Sequence, residues 1–153
     1  MDTHRPEVRK KNMRAVKSKN TKPEIIIRKA LHGRGFRYKL HDKSLPGKPD
    51  LVFPKYRAVI EIYGCFWHGH NCKKFSWPNT NEEFWKEKIS NNRSRDSKNI
   101  HRLMQSGWRV LIIWECSIND RNRLLKPDLI NLISDWLVHG YSSSEINGTT
   151  KLG

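Results

Sequence analysis

The chain of 153 residues is long enough for one domain with a real core. Thirty Lys and Arg residues against fifteen Asp and Glu give a formal net charge of +15 and a pI of about 10, which argues against an enzyme of small neutral substrates and indicates a nucleic-acid partner. Three cysteines without an N-terminal apolar segment argue against a secreted disulfide framework, and no apolar run approaches the ~20 residues that span a bilayer, so we expect a soluble, cytoplasmic protein without a membrane partner.

The first elements are a basic arm and a helix. Residues 1–20 contain almost nothing to bury and predict an arm for DNA, with basic side chains at Arg5, Arg9, Lys10, Lys11, Arg14, Lys17 and Lys19. Thr21 and Glu24 have the spacing of a capping box, with Pro23 in the first turn. A helix is predicted from there to about Gly33, and its apolar stripe is Ile26, Ile27, Ala30 and Leu31.

Three strands are predicted next. Phe36, Tyr38 and Leu40 alternate with polar residues, as a half-buried strand does. The chain then breaks at Pro46, Gly47 and Pro49 before the apolar residues 51–53, and a turn at 56–57 leads into the apolar segment 58–63. This pattern predicts a three-stranded meander.

A long loop, a helix, a strand and a last helix complete the pattern. Residues 64–78 have no periodicity but are rich in Cys, His and Trp, and so predict a functional loop. Thr80 and Glu83 form a second capping-box pattern before a helix that ends near Gly107, whose polar middle, 90–99, must face solvent or a ligand. The apolar run 110–114 predicts a strand parallel to its neighbour, and the closing helix carries Leu129, Leu132, Ile133, Trp136 and Leu137.

The order of elements predicts the α/β class: a single domain in which helices flank a mixed central β-sheet. We expect a basic DNA-binding arm at 1–20, a catalytic domain at 21–140 and a polar tail at 141–153.

A zinc site is predicted from the cysteines. Cys65, Cys72 and Cys116 together with one histidine form the Cys3His set of a closed, structural tetrahedral site, which would hold a polar loop in place. Spacing alone does not decide between His68 and His70. The alternative is that Cys65 and Cys116 are ordinary buried thiols and that the histidines are surface groups.

A cation site is predicted from Asp50 and Glu61 on adjacent strands. Two converging carboxylates suit Mg2+, which stabilises charge on a scissile phosphate, although Glu61 alone could equally lie on a solvated face or pair with Lys or Arg. His68, close to the strand end with Glu61, is a candidate to move the proton. Asp96 and Glu24 are candidates to orient it, or make only ion pairs or a cap.

Five segments resemble the very short patch repair (Vsr) endonucleases of the PD-(D/E)xK-like superfamily, in order and spacing. They are KNMRAVKSKNT, LPGKPDLVF, GCFWHGHNC, EFWKEKI and GWRVLIIWEC, and they cover roughly positions 10 to 120. The resemblance implies a restriction-endonuclease-like fold and a single-strand nick 5′ to the thymine of a T:G pair that arises when 5-methylcytosine deaminates. It also implies a cytosine-5 DNA methyltransferase as functional partner, a monomer, and a bacterial or archaeal cytoplasm.

The resemblance also assigns roles to residues. It implies Asp50 and the backbone carbonyl of Ile62 as Mg2+ ligands, His68 as general acid/base, and Asp96 and Glu24 as supporting acids. The zinc ligands become Cys65, His70, Cys72 and Cys116. Phe66, Trp67 and Trp85 match aromatics that wedge into the base stack, and Met13 and Arg14 on the arm also contact DNA; the alternative for the aromatics is core packing.

Three positions differ from the family's pattern. Glu61 is more like the second acid of the wider superfamily than the apolar residue expected there, and Ile62 replaces a hydroxyl residue. Tyr63 stands at the superfamily's lysine position, so His68 would have to supply the proton transfer.

Two other functions compete with this hypothesis. One is a Vsr-fold homing or restriction nuclease that acts on unmismatched DNA. The other is a zinc-stabilised nucleic-acid-binding module without catalysis, in which Asp50 and His68 are only structural.

Overall fold

Five strands form one mixed sheet in the computed structural model, which describes residues 21–70, 72, 76–119 and 126–147. In their order across the sheet, which is also chain order, the strands are β1 (Lys39–Leu40), β2 (Leu51–Phe53), β3 (Ala58–Tyr63), β4 (Arg109–Trp114) and β5 (Ser144–Ile146). The first three are antiparallel, and β4 and β5 join in parallel. The predicted meander and the predicted parallel strand are therefore confirmed.

Helices cover both faces of this sheet. They are α1 (Lys22–Gly33), α2 (Glu82–Gln105), the single-turn α3 (Cys116–Asn119) and α4 (Lys126–His139). The stripes of α1 and α4 pack with Phe53 and Ile60 in the main core, whereas Leu103 of α2 packs on the other face with Val59 and Val110. The result is a mixed α/β single domain, and no helix in the described part of the chain is long and apolar enough to cross a membrane.

Strand β3 connects this core to the rest of the molecule. Its side chains alternate between the faces, so Ala58 and Ile60 lie in the main core while Val59 lies under α2. Glu61 has the same parity as Val59 and therefore points to the α2 face. An acidic residue is thereby placed at the end of a buried strand.

Neither predicted capping box forms. Thr21 is the N-cap of α1 without a side-chain capping bond. Glu24 is 2% exposed, and its carboxylate bonds to Arg28, one turn further along the same helix, and to His41 in the loop before β2. The N-cap of α2 is Asn81, in a left-handed conformation, so Thr80 and Glu83 do not cap it.

Two other predictions about the sheet need correction. The predicted strand through Phe36, Tyr38 and Leu40 is regular only at Lys39–Leu40; Phe36 and Tyr38 pack their rings against Phe53 instead. The predicted polar tail contains β5, which pairs with β4 from Ser144 to Ile146. Ile146 is 5% exposed, so this short strand is held by one buried side chain and its backbone bonds. The arm at 1–20 lies outside the described residues.

Candidate active site

One open cleft of about 1690 Å³ lies beside the end of β3, where the start of α1, the loop before β2, the loop after β3 and the middle of α2 meet. The polar stretch of α2 faces this cleft through Asn91, Asn92, Arg95, Asp96 and Asn99. The cleft is also lined by Glu24, His41, Asp50, Glu61, Phe66, Trp67 and His68. Residues far apart in the sequence therefore share one solvent-accessible surface.

Asp50 sits at the start of β2 and is held by β3. Its Oδ2 accepts a hydrogen bond from the backbone N–H of Ile62 at 2.8 Å, and its Oδ1 lies 3.5 Å from Nδ1 of His41. Burial raises the pKa of Asp50 to about 7, the Ile62 N–H opposes this, and the negative charge of Glu24 adds to it. The carboxylate is thus placed where negative charge is under-compensated.

Glu24 is almost completely buried beside Asp50. Its Oε2 accepts hydrogen bonds from Nη1 of Arg28 at 2.7 Å and from Nε2 of His41 at 3.2 Å. The backbone N–H of His41 also donates to the carbonyl of Asp50, at 3.1 Å. His41 therefore lies between the two carboxylates, with one ring nitrogen directed to each.

Glu61 points into the same cleft. Its Oε1 is buried and has no hydrogen-bond partner among the described residues. Burial raises the pKa of Glu61 well above its usual range, and the charges of Asp50 and Asp96 raise it further. The predicted alternative of a solvated strand face therefore does not describe this side chain.

His68 faces the carboxylates from the loop after β3. Its Nδ1 lies 2.5 Å from Oδ2 of Asp96 on α2, and its ring stacks on Tyr63 with centroids 3.9 Å apart and an interplanar angle of 2°. Asp96 is therefore not a simple helix-surface ion-pair residue. Two separate contacts fix the imidazole plane and direct Nε2 away from Asp96.

A second cluster lies behind this loop. One potential ligand atom from each of Cys65, His70, Cys72 and Cys116 lies within 4.8 Å of all the others. Cys116 Sγ is 3.7 Å from Nδ1 of His70, whose ring stacks on Trp114 at 4.1 Å. Burial lowers the pKa of His70, which favours the neutral imidazole that binds a metal. The structure brings His70, and not His68, to the cysteines.

Three aromatic rings form an aromatic cluster at the edge of the cleft, consisting of Phe66, Trp67 and Trp85. Their centroids are 5.1, 5.5 and 5.8 Å apart, in edge or tilted contacts. Each residue is only partly buried, and the backbone carbonyl of Trp67 accepts a hydrogen bond from Nδ2 of Asn92. Phe84, which is 56% exposed, extends the cluster beside Trp85. None of the three rings belongs to the buried core clusters of the described residues.

Comparison with known proteins identifies the family. The model of the family described as DNA mismatch endonuclease Vsr matches residues 1–74. The DNA mismatch endonuclease Vsr of Escherichia coli (strain K12) is 42% identical over 146 residues, which cover 95% of this chain and 94% of that protein. The chain belongs to the Vsr family of DNA mismatch endonucleases.

Other relatives of this Vsr family chain are named as type II nicking enzymes. V.XorIIP of Xanthomonas oryzae pv. oryzae is 45% identical over 119 residues, covering 78% of this chain and 88% of that protein. V.NmeAIP of Neisseria meningitidis serogroup A is 47% identical over 109 residues, covering 71% and 78%. Endonuclease activity is therefore the property of the family to which the chain belongs.

The Vsr resemblance and the residue patterns together predicted most of the acidic residues and one of the two histidines that line the cleft in the described part of the chain. Asp50, Glu61, His68, Asp96 and Glu24 all line it, whereas Met13 and Arg14 lie outside the described residues. His41 was missed, because nothing in the sequence around a single histidine in a polar turn marks it. The only sequence clue is its position nine residues before Asp50, and the contact depends on how the turn folds back.

Proposed function

We propose that this chain nicks one DNA strand 5′ to the thymine of a T:G mismatch and so starts very short patch repair of deaminated 5-methylcytosine. The names of the relatives support mismatch recognition and nicking. The observation that carries the proposal is that the His68–Asp96 pair faces Asp50, Glu24 and Glu61 across one cleft. This combination provides a proton-transfer group and a cation-binding group for the same phosphodiester.

His68 is the proposed general acid/base. The carboxylate of Asp96 accepts a hydrogen bond from the Nδ1–H of His68. Nε2 is therefore left to take a proton from an attacking water or to give one to the leaving oxygen. The stacked ring of Tyr63 restricts the rotation of the imidazole. Tyr63 itself lacks the ammonium of the superfamily's lysine, so His68 takes over the proton transfer in this chain.

The carboxylates fit a divalent cation. Glu61 Oε1 is buried without a partner among the described residues, and burial together with the nearby charge of Glu24 raises the pKa of Asp50, so a bound cation would favour its ionised form. Asp50 and the backbone carbonyl of Ile62 would hold Mg2+: the N–H of Ile62 points to Asp50, and in an extended strand the carbonyl of the same residue points to the same side. When bound, Mg2+ supplies electrostatic stabilisation of the scissile phosphate. Glu24 acts as a supporting acid, since His41 contacts both its carboxylate and that of Asp50.

The Cys65, His70, Cys72 and Cys116 cluster fits a structural zinc ion. Three thiolates and one imidazole fill a tetrahedral coordination sphere and leave no position for water. These residues connect the loop after β3 to the start of α3. The chain thereby fixes the segment that carries Phe66, Trp67 and His68.

DNA binding is assigned to the aromatic cluster and the basic arm. Aromatic rings that are only partly buried can enter the base stack, and unstacking costs least where pairing is already imperfect. Met13 and Arg14 on the arm are proposed to reach the DNA as well, and the net charge of +15 supplies phosphate contacts. A restriction-endonuclease-like fold, a monomer and a cytosine-5 DNA methyltransferase as functional partner belong to the same proposal.

Strand-resolved cleavage tests this function. With Mg2+, the chain is expected to nick the thymine strand of a T:G duplex and to leave the same duplex with C:G intact, while Asp50→Ala abolishes nicking. Asp135→Ala, at an exposed position of α4, is the matched control and should nick like wild type. Cutting of both strands of the C:G duplex would favour a restriction-type nuclease, and nicking that survives Asp50→Ala would contradict the assignment of catalysis to this cleft.

A further inference from the structure

His41 has the geometry of a metal ligand supported by an outer carboxylate. Its Nε2 is 3.2 Å from Oε2 of Glu24, and its Nδ1 is 3.5 Å from Oδ1 of Asp50. The first contact is a hydrogen bond, whereas the second is longer than most hydrogen bonds between these groups. The two nitrogens therefore have different partners and different distances.

The distance between His41 Nδ1 and Asp50 Oδ1 is close to the separation of two ligand atoms on one cation. Two metal–ligand bonds of about 2.1 Å at the right angle of an octahedral site span about 3.0 Å, so a shift of about half an ångström would bring both atoms onto one ion. Glu24, His41 and Asp50 each offer an atom within 4.8 Å of the other two. Oδ2 of Asp50 is engaged by the Ile62 N–H, so Oδ1 is the oxygen that turns towards His41.

Glu24 selects the tautomer that such a ligand requires. Metal-binding histidines usually donate their other ring N–H to a carboxylate, which orients the ring and leaves the opposite nitrogen as a lone-pair donor. Here Glu24 is 2% exposed and fixed by Arg28, so its carboxylate accepts the hydrogen bond from Nε2–H in a defined position. The lone pair of Nδ1 is then the one that faces Asp50 and is free to bind a metal.

We propose that His41 Nδ1 is a ligand of the divalent cation at Asp50, which makes this a mixed nitrogen–oxygen site that binds Mn2+ more tightly than Mg2+. The inference rests on the proposed cation site. Mg2+ prefers oxygen ligands, whereas imidazole suits transition-metal ions and carboxylates accept Mn2+. The imidazole therefore makes the preference for Mn2+ over Mg2+ stronger than oxygen ligands alone would.

Mn2+ is a suitable probe of this arrangement. The zinc-loaded full chain without DNA is titrated with Mn2+ and with Mg2+ by calorimetry, and the Mn2+ complex is examined by pulsed electron paramagnetic resonance for coupling to an imidazole ¹⁴N. Wild type is expected to show the nitrogen coupling and His41→Gln to lose it. His41→Gln should weaken Mn2+ binding about tenfold or more, and Mg2+ binding by a smaller factor.

Two matched variants separate the possible nitrogen donors and their supports. His68→Gln removes the other imidazole of the cleft and should retain the coupling. Glu24→Gln, which loses the outer carboxylate charge, should weaken Mn2+ binding about 10–100-fold. Zinc content and thermal unfolding equal to wild type show that each variant is folded.

Several results would overturn the inference. One is a Mn2+ complex of the wild type that shows no coupling to an imidazole ¹⁴N. The others are a coupling that persists in His41→Gln and an equal loss of Mn2+ and Mg2+ affinity in that variant. The first result is obtained on the wild type, so the inference can be rejected even if His41→Gln does not fold. Mg2+-dependent nicking of the T:G duplex is measured separately, and if it is retained when the coupling is absent, the proposed function stands and only the His41 assignment fails.

Discussion

The carboxyl group of Glu61 is a destabilising feature that the fold retains. A buried polar atom without a hydrogen-bond partner costs about 1–3 kcal/mol, more when the group is charged. Oε1 of Glu61 is such an atom among the described residues, and the neighbouring Asp50 and Asp96 add repulsion. We propose that the fold retains this group at the edge of the cleft because it helps to bind the cation.

Replacing Glu61 should therefore stabilise the chain and reduce its activity. We expect Glu61→Leu to raise the free energy of unfolding by about 1–3 kcal/mol without added Mg2+, because the unpaired carboxyl is removed. Nicking of the T:G duplex should fall in the same variant. Urea unfolding and cleavage rates measure the two effects, and Glu87→Leu, at an exposed position of α2, is the control. A destabilised Glu61→Leu would show that this carboxyl has a structural partner.

Asp96 is the residue that gives His68 a defined orientation. Asp96→Asn keeps the size of the side chain but removes the charge that holds the Nδ1 proton. We expect the cleavage rate to fall about 10²–10⁴-fold, with DNA affinity and zinc content unchanged. Asp135→Asn should have no effect. Equal rates for wild type and Asp96→Asn would remove Asp96 from the proposed mechanism.

The loop after β3 separates two histidines that are two positions apart in the sequence. His70 lies with the cysteines and stacks on Trp114, whereas His68 stacks on Tyr63 and bonds to Asp96. The turn at 65–69, in which Gly69 has a φ of +64°, directs the two imidazoles to different partners. One short segment can thereby carry a structural and a catalytic histidine.

Two single substitutions distinguish these roles. His70→Ala should lose bound zinc and unfold at a lower temperature, because a structural site with three ligands no longer closes. His68→Ala should retain stoichiometric zinc and DNA binding while it loses nicking. Metal analysis and thermal unfolding are the measurements, and zinc loss from His68→Ala would reverse the assignment.

The aromatic cluster joins this loop to the start of α2. Trp85 contacts both Phe66 and Trp67, which line the cleft, so the loop and the helix form one aromatic surface at its edge. Rings at this edge can enter a base stack only if loop and helix keep their relative position. The polar contact from Asn92 to the Trp67 carbonyl helps to keep it.

Removal of one ring should reduce mismatch discrimination more than general DNA affinity. We expect Trp85→Ala to lower the preference for T:G over C:G duplex binding by about tenfold, since loss of base–aromatic stacking costs about 1–3 kcal/mol. Trp77→Ala, which changes a partly exposed tryptophan outside the cluster, is the control. The ratio of the two dissociation constants at one fixed salt concentration is the measurement. An unchanged ratio in Trp85→Ala would assign this ring to packing.

The C-terminal strand β5 is an edge strand of the sheet and pairs with β4. Besides the strand pairing, Ser143 Oγ accepts a hydrogen bond from the N–H of Val110, and the carbonyl of Ser142 accepts one from Nε1 of Trp136. Ile146 adds a buried side chain to the main core. The segment 142–147 is thus part of the folded domain.

Two truncations test this role. A chain ending at Tyr141 should be less stable by about 2 kcal/mol or more, because it loses the burial of Ile146 and the pairing along β4. A chain ending at Asn147 keeps these contacts and is the reference for this difference. Urea unfolding compares them, and equal stability of the two truncated chains would mean that β5 contributes nothing.

The sequence alone determined the elements whose evidence is local and repeated. The stripes of α1 and α4, the buried strands β2 to β4 and the polar middle of α2 follow from periodicity. The short strand β5 has only one buried apolar residue, and a capping box depends on side-chain bonds that residue spacing does not guarantee, so these features were misjudged. The Vsr motifs supplied the choice of residues in the cleft, which periodicity does not contain.

Only the tertiary structure decided which of these residues meet. Glu24, His41 and Asp50 come from a helix, a turn and a strand start, and their contacts depend on three-dimensional packing that local sequence does not encode. The same packing turns His68 to Asp96 and His70 to the cysteines. Local sequence specifies backbone preference and burial, whereas a site is defined by distances of a few ångströms between side chains that are remote in the chain.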